Sequence, residues 1–105
     1  MRDALNEAGE VQHAKTLKKY ANNDGDSAPV LYNVDVEKYT RGIGNDGFKG
    51  VASRCTARPY RLSRRICKCI KSHWKLGAKD KSCTDTCKSI SADCKDGNWG
   101  INSLA

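Results

Sequence analysis

All six cysteines of the chain lie between Cys55 and Cys94, with the spacing C-x11-C-x-C-x13-C-x3-C-x6-C. Cytosolic proteins rarely carry cysteines at this density, because a reducing compartment removes the benefit of a disulfide bond. We therefore predict three disulfide bonds and a secreted protein. No apolar leader follows Met1, so we expect the signal peptide of the secreted form to have been removed.

The stretch before Gly77 has the period of an amphipathic helix. Its apolar side chains recur every four residues, at Leu62, Ile66, Ile70 and Trp74. Ser63 suits an N-cap and Gly77 a position just beyond the last turn, so the pattern predicts a helix over residues 64–76. A β-strand over residues 65–71 is the alternative, since C-x-C also fits the two-residue period of a strand. We prefer the helix because its caps and its four-residue repeat agree.

A second helix is predicted over residues 82–95. Ser82 followed by Asp85 matches a capping box, and Gly97 suits the far end. Three cysteines share one stripe of this helix: Cys83, Cys87 and Cys94. Cysteines on one stripe cannot easily pair with one another, so they should reach across to the other three. The two helices then form a disulfide-stapled helical hairpin.

The geometry of that hairpin selects one connectivity. If the helices are antiparallel and the chain turns near residue 78, Cys69 lies nearest Cys87 and Cys67 lies nearest Cys94. Cys55 is then left for Cys83. The predicted pairs are Cys55–Cys83, Cys67–Cys94 and Cys69–Cys87, and the strand alternative would change them.

The N-terminal half has weaker patterns. Residues 3–21 suggest a helix that begins at Asp3, and the alternation of apolar and polar residues over 30–37 predicts a strand. Four glycines within residues 41–50 indicate a flexible connector. The fold class is therefore small, disulfide-rich α+β, with an N-terminal helix, one or two short strands and the helical hairpin. We divide it into an arm (1–50) and a six-cysteine module (51–105).

Positive charge is concentrated in the six-cysteine module. Residues 1–50 carry seven Lys/Arg against eight Asp/Glu, whereas residues 51–105 carry twelve against four, and the whole chain has a net charge of +7 at pH 7. Such a surface favours anionic partners. The predicted helix places five cations on one face: Arg64, Arg65, Lys68, Lys71 and Lys75. We predict that these residues bind the target, together with Trp74 and Trp99 as aromatic anchors.

The sequence gives little evidence for a catalytic site or a metal site. A small secreted ribonuclease is a weaker alternative, because His13 and His73 are the only histidines that could supply its pair of imidazoles beside a cation for the phosphate. His73 falls on the apolar side of its predicted helix, which favours a core histidine. A structural zinc ion takes four ligands, and four of the cysteines could supply them: Cys67, Cys69, Cys83 and Cys87. Structural zinc sites usually use C-x2-C spacing, so we predict no metal, no cofactor and no enzyme.

Charge and disulfides together suggest a function. The leading hypothesis is a secreted, monomeric host-defence peptide or toxin that acts on an anionic membrane or a microbial envelope. The alternative is a secreted signal or a ligand that binds a receptor or channel, because disulfide-fixed surfaces lose little entropy on binding. The charge also permits nucleic-acid binding, but no motif supports it.

Overall fold

The computed structural model describes residues 1–20, 30–32, 40–43, 54–59, 63–97 and 99–101. Within these residues the chain forms three short helices and six strands. The helices are α1 (Arg2–Glu7), α2 (Val11–Thr16) and α3 (Cys83–Lys88). The strands are β1 (Leu17–Tyr20), β2 (Val30–Tyr32), β3 (Thr40–Ile43), β4 (Arg64–Ile70), β5 (Trp74–Leu76) and β6 (Asp93–Cys94). The protein is a small disulfide-rich α+β fold, as predicted.

The strands form one sheet in the order β1-β3-β2-β4-β5, and β6 also pairs with β4. β1 and β3 are parallel, whereas every other described pair is antiparallel. β2 pairs with β4 through Val30 opposite Arg65 and Leu31 opposite Arg64. The sheet therefore runs without a break across the predicted boundary between arm and cysteine module.

The predicted helix over residues 64–76 is wrong, since β4 and β5 form an antiparallel β-hairpin there. The two-residue period of Arg65, Cys67 and Cys69 is the decisive pattern, and all three are buried. Lys68 and Ile70, which lie on the other face of the strand, are exposed. Pairing with three other strands satisfies the backbone of β4, so the four-residue apolar repeat does not produce a helix.

The N-terminal helix is shorter than predicted. α1 ends in a Schellman motif: the N–H of Gly9 donates to the carbonyl of Asn6 at 3.1 Å, and that of Glu10 donates to the carbonyl of Leu5 at 2.8 Å. Gly9 has φ +81°, which favours glycine. The chain then enters α2 and β1, so the prediction of one helix over residues 3–21 is wrong in its extent.

α3 begins where the capping box predicts. The Ser82 hydroxyl accepts a hydrogen bond from the Asp85 N–H at 3.2 Å, which satisfies a free donor of the first turn. The helix ends at Lys88 rather than near residue 95. Ser91 then adopts φ 57°, and the chain turns into β6.

Two further predictions fall partly outside the described residues. Of the predicted strand over residues 30–37, the described part forms β2. Of the predicted connector over residues 41–50, residues 41–43 belong to β3 and are not a connector. The remaining residues of both segments lie outside the described ranges.

Among the described residues, buried apolar side chains form two clusters. The N-terminal cluster contains Met1, Ala4, Leu5, Ala14, Leu17, Ile66 and Leu76. The cysteine cluster contains Cys55, Cys67, Cys69, Cys83, Cys87 and Trp99. Ile66 and its neighbour Cys67 point to opposite faces of β4, so this strand contributes to both clusters. Trp74 is half-buried and packs against both.

Gly77 occupies a close contact between the end of β5 and α3. A Cβ atom added here would overlap the Thr86 hydroxyl oxygen. That hydroxyl donates to the Ser82 carbonyl at 2.9 Å, so it cannot move without losing this bond. We expect Gly77→Ala to lower the free energy of unfolding by about 1–3 kcal/mol, the usual cost of overpacking. Urea unfolding of the two proteins checks this.

A second substitution at Thr86 tests the cause of that loss. Thr86→Ala removes the hydroxyl and leaves a Cβ at an ordinary contact distance of 3.5 Å. Gly77→Ala should therefore cost much less in the Thr86→Ala background than in the Thr86→Ser background, where the hydroxyl remains. Equal costs in both backgrounds would show that the overlap is not the reason.

Candidate anion-binding surface of the cysteine module

Two disulfide bonds join β4 to α3, and we call them the clasp. Cys67 bonds to Cys83 and Cys69 bonds to Cys87, each with 5.4 Å between the two Cα atoms. Residues i and i+2 of a strand are about 6.6 Å apart. Residues i and i+4 of a helix are about 6.0 Å apart along the axis. The spacings C-x-C and C-x3-C therefore match, and two bonds form side by side.

The third bond joins Cys55 to Cys94. All three bonds connect the first three cysteines to the last three, as predicted, and the Cys69–Cys87 pair agrees with the prediction. The predicted pairs Cys55–Cys83 and Cys67–Cys94 are wrong, because they assumed antiparallel helices. With β4 a strand, α3 runs in the same direction as β4, and Cys94 is left for Cys55.

Strand pairing and hydrogen bonds hold the segment after Cys94 to β4 and Cys55. Cys94 lies opposite Cys69 in the β4–β6 pairing. The Asp96 carboxylate accepts from the Cys55 N–H at 2.7 Å, and the Trp99 indole N–H donates to the Lys95 carbonyl at 2.9 Å. These bonds place Lys95 beside the end of β4.

Arg65 does not lie on a solvent-exposed cationic face. Its side chain is fully buried, with a relative exposure of 0%. Nη1 donates to the carbonyl of Arg54, and to that of Ala57 at 3.1 Å. The guanidinium also lies over the Trp99 ring, 5.6 Å from its centroid. A strand places Arg65 on the opposite face from Arg64 and Lys68, so its predicted role in contacting the target is incompatible with its position.

The two tryptophans serve mainly as packing residues. Trp99 is only 9% exposed, and its ring meets that of Trp74 edge-on with centroids 6.1 Å apart. The Lys68 ammonium lies 5.9 Å from the centroid of the Trp74 ring. Trp99 is therefore not placed as a surface anchor, and Trp74 presents only part of its ring.

The end of the β4–β5 hairpin brings together cations and an exposed aliphatic side chain. Lys68 and Lys71 are exposed, and Ile70 between them is 40% exposed. Lys71 begins the turn with φ 58°. A groove of about 480 Å³ is lined by these residues and by Lys95. We call Lys68, Ile70, Lys71 and Lys95 the hairpin tip.

The hairpin tip carries more positive than negative charge among the described residues. Within the described ranges, no carboxylate lies at salt-bridge distance from Lys68, Lys71 or Lys95. Asp96 also lines the groove and accepts from the Cys55 N–H, and Asp93 lies opposite Ile70 in the β4–β6 pairing, so two carboxylates offset part of the positive charge. The tip therefore presents three cations around one apolar side chain.

Only part of the hairpin tip belongs to the target-binding site predicted from the sequence. Lys68 and Lys71 belong to both, whereas Arg64 and Lys75 are half-buried and line a different groove. Ile70 belongs to the apolar side of the predicted helix, and Lys95 is not among the predicted target-binding residues. The alternation of the C-x-C segment, extended by one residue, would have placed Ile70 on the same face as Lys68.

The histidines show no shared site. His13 in α2 lies 3.7 Å from the Glu10 carboxylate, and His73 lies in the hairpin turn with its Nδ1 3.3 Å from the Ser72 hydroxyl. The prediction of a core histidine at His73 is wrong, because this side chain is exposed. No group of three metal-ligating side chains occurs among the residues that the structure describes.

Comparisons with protein-family models, curated proteins and solved structures found no match to this chain. In the described part of the chain, no helix has the length and apolar character needed to cross a membrane.

Proposed function

We propose that the protein is a secreted, cationic host-defence protein or toxin that binds anionic membranes or microbial envelopes through its hairpin tip. The observation that supports this is the position of Ile70, 40% exposed among Lys68, Lys71 and Lys95. Lysines attract a protein to anionic lipid headgroups, and an aliphatic side chain gains free energy when it enters the boundary with the acyl chains.

The clasp makes this surface suitable for binding without rearrangement. Cys69 precedes Ile70 and is bonded to Cys87 in α3, so the end of β4 is held from behind. Lys95 follows Cys94, which is bonded to Cys55. A surface whose backbone is already ordered loses less entropy when it binds.

The expected affinity is modest. Three lysines near an anionic surface contribute roughly 1 kcal/mol each. Completing the burial of Ile70 adds about 1 kcal/mol, because most of its side chain is already covered. A total of about 4 kcal/mol corresponds to a dissociation constant near 1 mM. One copy should therefore bind reversibly, and lasting attachment should require many copies or many anionic sites.

The first test removes the charge of the hairpin tip. We expect Lys68→Gln/Lys71→Gln/Lys95→Gln to weaken binding to phosphatidylglycerol vesicles by about 3 kcal/mol, at roughly 1 kcal/mol per charge. Ile70→Ser alone should weaken binding by about 1 kcal/mol. The triple substitution should leave the weak binding to zwitterionic vesicles unchanged, whereas Ile70→Ser should weaken binding to both kinds of vesicle. Vesicle co-sedimentation at fixed ionic strength measures both.

A matched triple variant separates the hairpin tip from net charge. Lys15, Lys81 and Lys88 are exposed and lie outside the tip, so Lys15→Gln/Lys81→Gln/Lys88→Gln removes the same charge elsewhere. If both triple variants weaken binding equally, net charge alone is responsible and the proposed tip is wrong. If one single substitution abolishes activity on cells while vesicle binding is unchanged, a receptor or channel is the better target.

A further inference from the structure

A second groove lies between the end of β5 and α3. Its volume is about 450 Å³, within the range of small-molecule sites. Three of its lining residues are cationic and one is acidic: Arg64, Lys75, Lys81 and Asp85. No residue of the hairpin tip lines this groove, so it does not belong to the surface proposed above.

The Arg64 guanidinium is already oriented in the folded protein. Its Nε donates to the carbonyl of Gly77 at 2.8 Å, which leaves the N–H groups of both terminal nitrogens for a ligand. No carboxylate in the described ranges lies at salt-bridge distance from Arg64, Lys75 or Lys81. Asp85 lines the same groove without neutralising any of them. An oriented planar guanidinium binds a tetrahedral or planar oxyanion through two parallel hydrogen bonds.

The walls of the groove are held by short hydrogen bonds. The N–H of Gly77 donates to the Arg65 carbonyl at 2.8 Å, and the Ser89 hydroxyl donates to the Thr86 carbonyl at 2.6 Å. Thr86 is fixed in turn by its bond to Ser82. The clasp joins α3 to β4, the strand that carries Arg64 and pairs with β5, so the backbone on both sides of the groove is held before a ligand arrives.

We propose that this groove binds a phosphate monoester of a polyol, such as a sugar phosphate. Three cations favour a phosphate monoester, which carries nearly two negative charges at neutral pH, over a singly charged carboxylate. Asp85 would repel a bare anion, but its carboxylate accepts hydrogen bonds from hydroxyl groups. A ligand with a phosphate at Arg64 and hydroxyl groups toward Asp85 satisfies both the cations and the carboxylate that line the groove. This proposal does not depend on membrane binding by the hairpin tip.

Glycerol 3-phosphate, inorganic phosphate and glycerol are suitable probes for NMR titration of the ¹⁵N-labelled protein. We expect glycerol 3-phosphate to shift the amide signals of Gly77 and Thr86 at lower concentration than inorganic phosphate, and glycerol to leave them unchanged. Arg64→Lys keeps the charge but loses the planar fork, so binding should weaken about tenfold. Lys81→Gln should also weaken it, whereas Lys88→Gln, an exposed lysine of α3 outside the groove, should not.

Asp85→Asn tests the assignment of the hydroxyl groups. Removing this carboxylate should strengthen the binding of inorganic phosphate and so reduce the preference for glycerol 3-phosphate. The proposal is overturned if glycerol 3-phosphate leaves the groove amides unshifted, if Lys88→Gln weakens binding as much as Lys81→Gln, or if Asp85→Asn keeps the preference unchanged.

Phosphatidic acid vesicles test whether the phosphate monoester belongs to a lipid instead. The headgroup of phosphatidic acid is a phosphate monoester without free hydroxyl groups. Arg64→Lys should hardly change vesicle binding if the ligand is a free polyol phosphate. If it weakens vesicle binding as strongly as glycerol 3-phosphate binding, the ligand is membrane-borne and the free polyol phosphate is excluded.

Discussion

Replacing Cys67 and Cys83 together by alanine should destabilise the protein more than replacing Cys55 and Cys94. Loss of a native disulfide from a small domain typically costs about 2–5 kcal/mol. The loop closed by Cys55–Cys94 spans 39 residues against 16 for Cys67–Cys83, which favours the longer loop by only about 0.8 kcal/mol of chain entropy.

The packing lost at Cys67 and Cys83 should outweigh this difference in chain entropy. Cys67 and Cys83 are both fully buried, whereas Cys94 is only partly buried. Deleting two buried sulfur atoms leaves a cavity that costs roughly 1 kcal/mol for each atom, by analogy with a buried methyl group. Denaturant unfolding under non-oxidising, non-reducing conditions measures both variants. Peptide mapping should show that the two remaining disulfides are unchanged. A lower stability of the Cys55/Cys94 variant would mean that chain entropy dominates.

Arg65→Gln is the single charge substitution with the largest expected effect. It removes the hydrogen bonds to the carbonyls of Arg54 and Ala57 and the stacking on Trp99. Hydrogen bonds to a charged group contribute about 1.5–3 kcal/mol each, so we expect a loss of roughly 3 kcal/mol or more. Thermal or denaturant unfolding measures this loss.

Two controls define the cause of that loss. Arg65→Lys should recover little of the stability, because one ammonium group cannot reproduce a planar guanidinium that bonds two carbonyls and stacks on a ring. Lys68→Gln, which removes a charge from the exposed face of the same strand, should change stability by less than about 0.5 kcal/mol. If Arg65→Gln is as mild as Lys68→Gln, the guanidinium does not hold residues 54–59 to the sheet.

The sequence patterns that gave correct predictions depend on residues that are close together in the chain. The capping box of Ser82 and Asp85 starts α3 as predicted. The even number of clustered cysteines indicated three disulfide bonds. Gly9 lies inside the predicted helix over residues 3–21, although a glycine is also typical of a Schellman end.

The largest error arose where one stretch of sequence matched both the period of a helix and the period of a strand. Residues 64–76 carry apolar side chains every four residues and cysteines every two, so helix and strand each had local support. The choice depends on partners that are distant in the sequence: β2 supplies backbone hydrogen bonds to Arg64 and Arg65, and α3 supplies the two cysteines of the clasp. The same choice decides where the cationic side chains lie. The strand buries Arg65, whereas the predicted helix would have left it exposed.

The sequence by itself determined the disulfide-rich α+β class and the concentration of positive charge in residues 51–105. Composition and short-range spacing are sufficient for these properties, since they do not depend on which residues meet in space. Tertiary structure alone decided the pairing of the six cysteines, the burial of Arg65 and Trp99, and the meeting of Lys95 with the end of β4. Each of these depends on the direction of β4 relative to α3 and β6, which is set by sheet pairing and packing across the whole module.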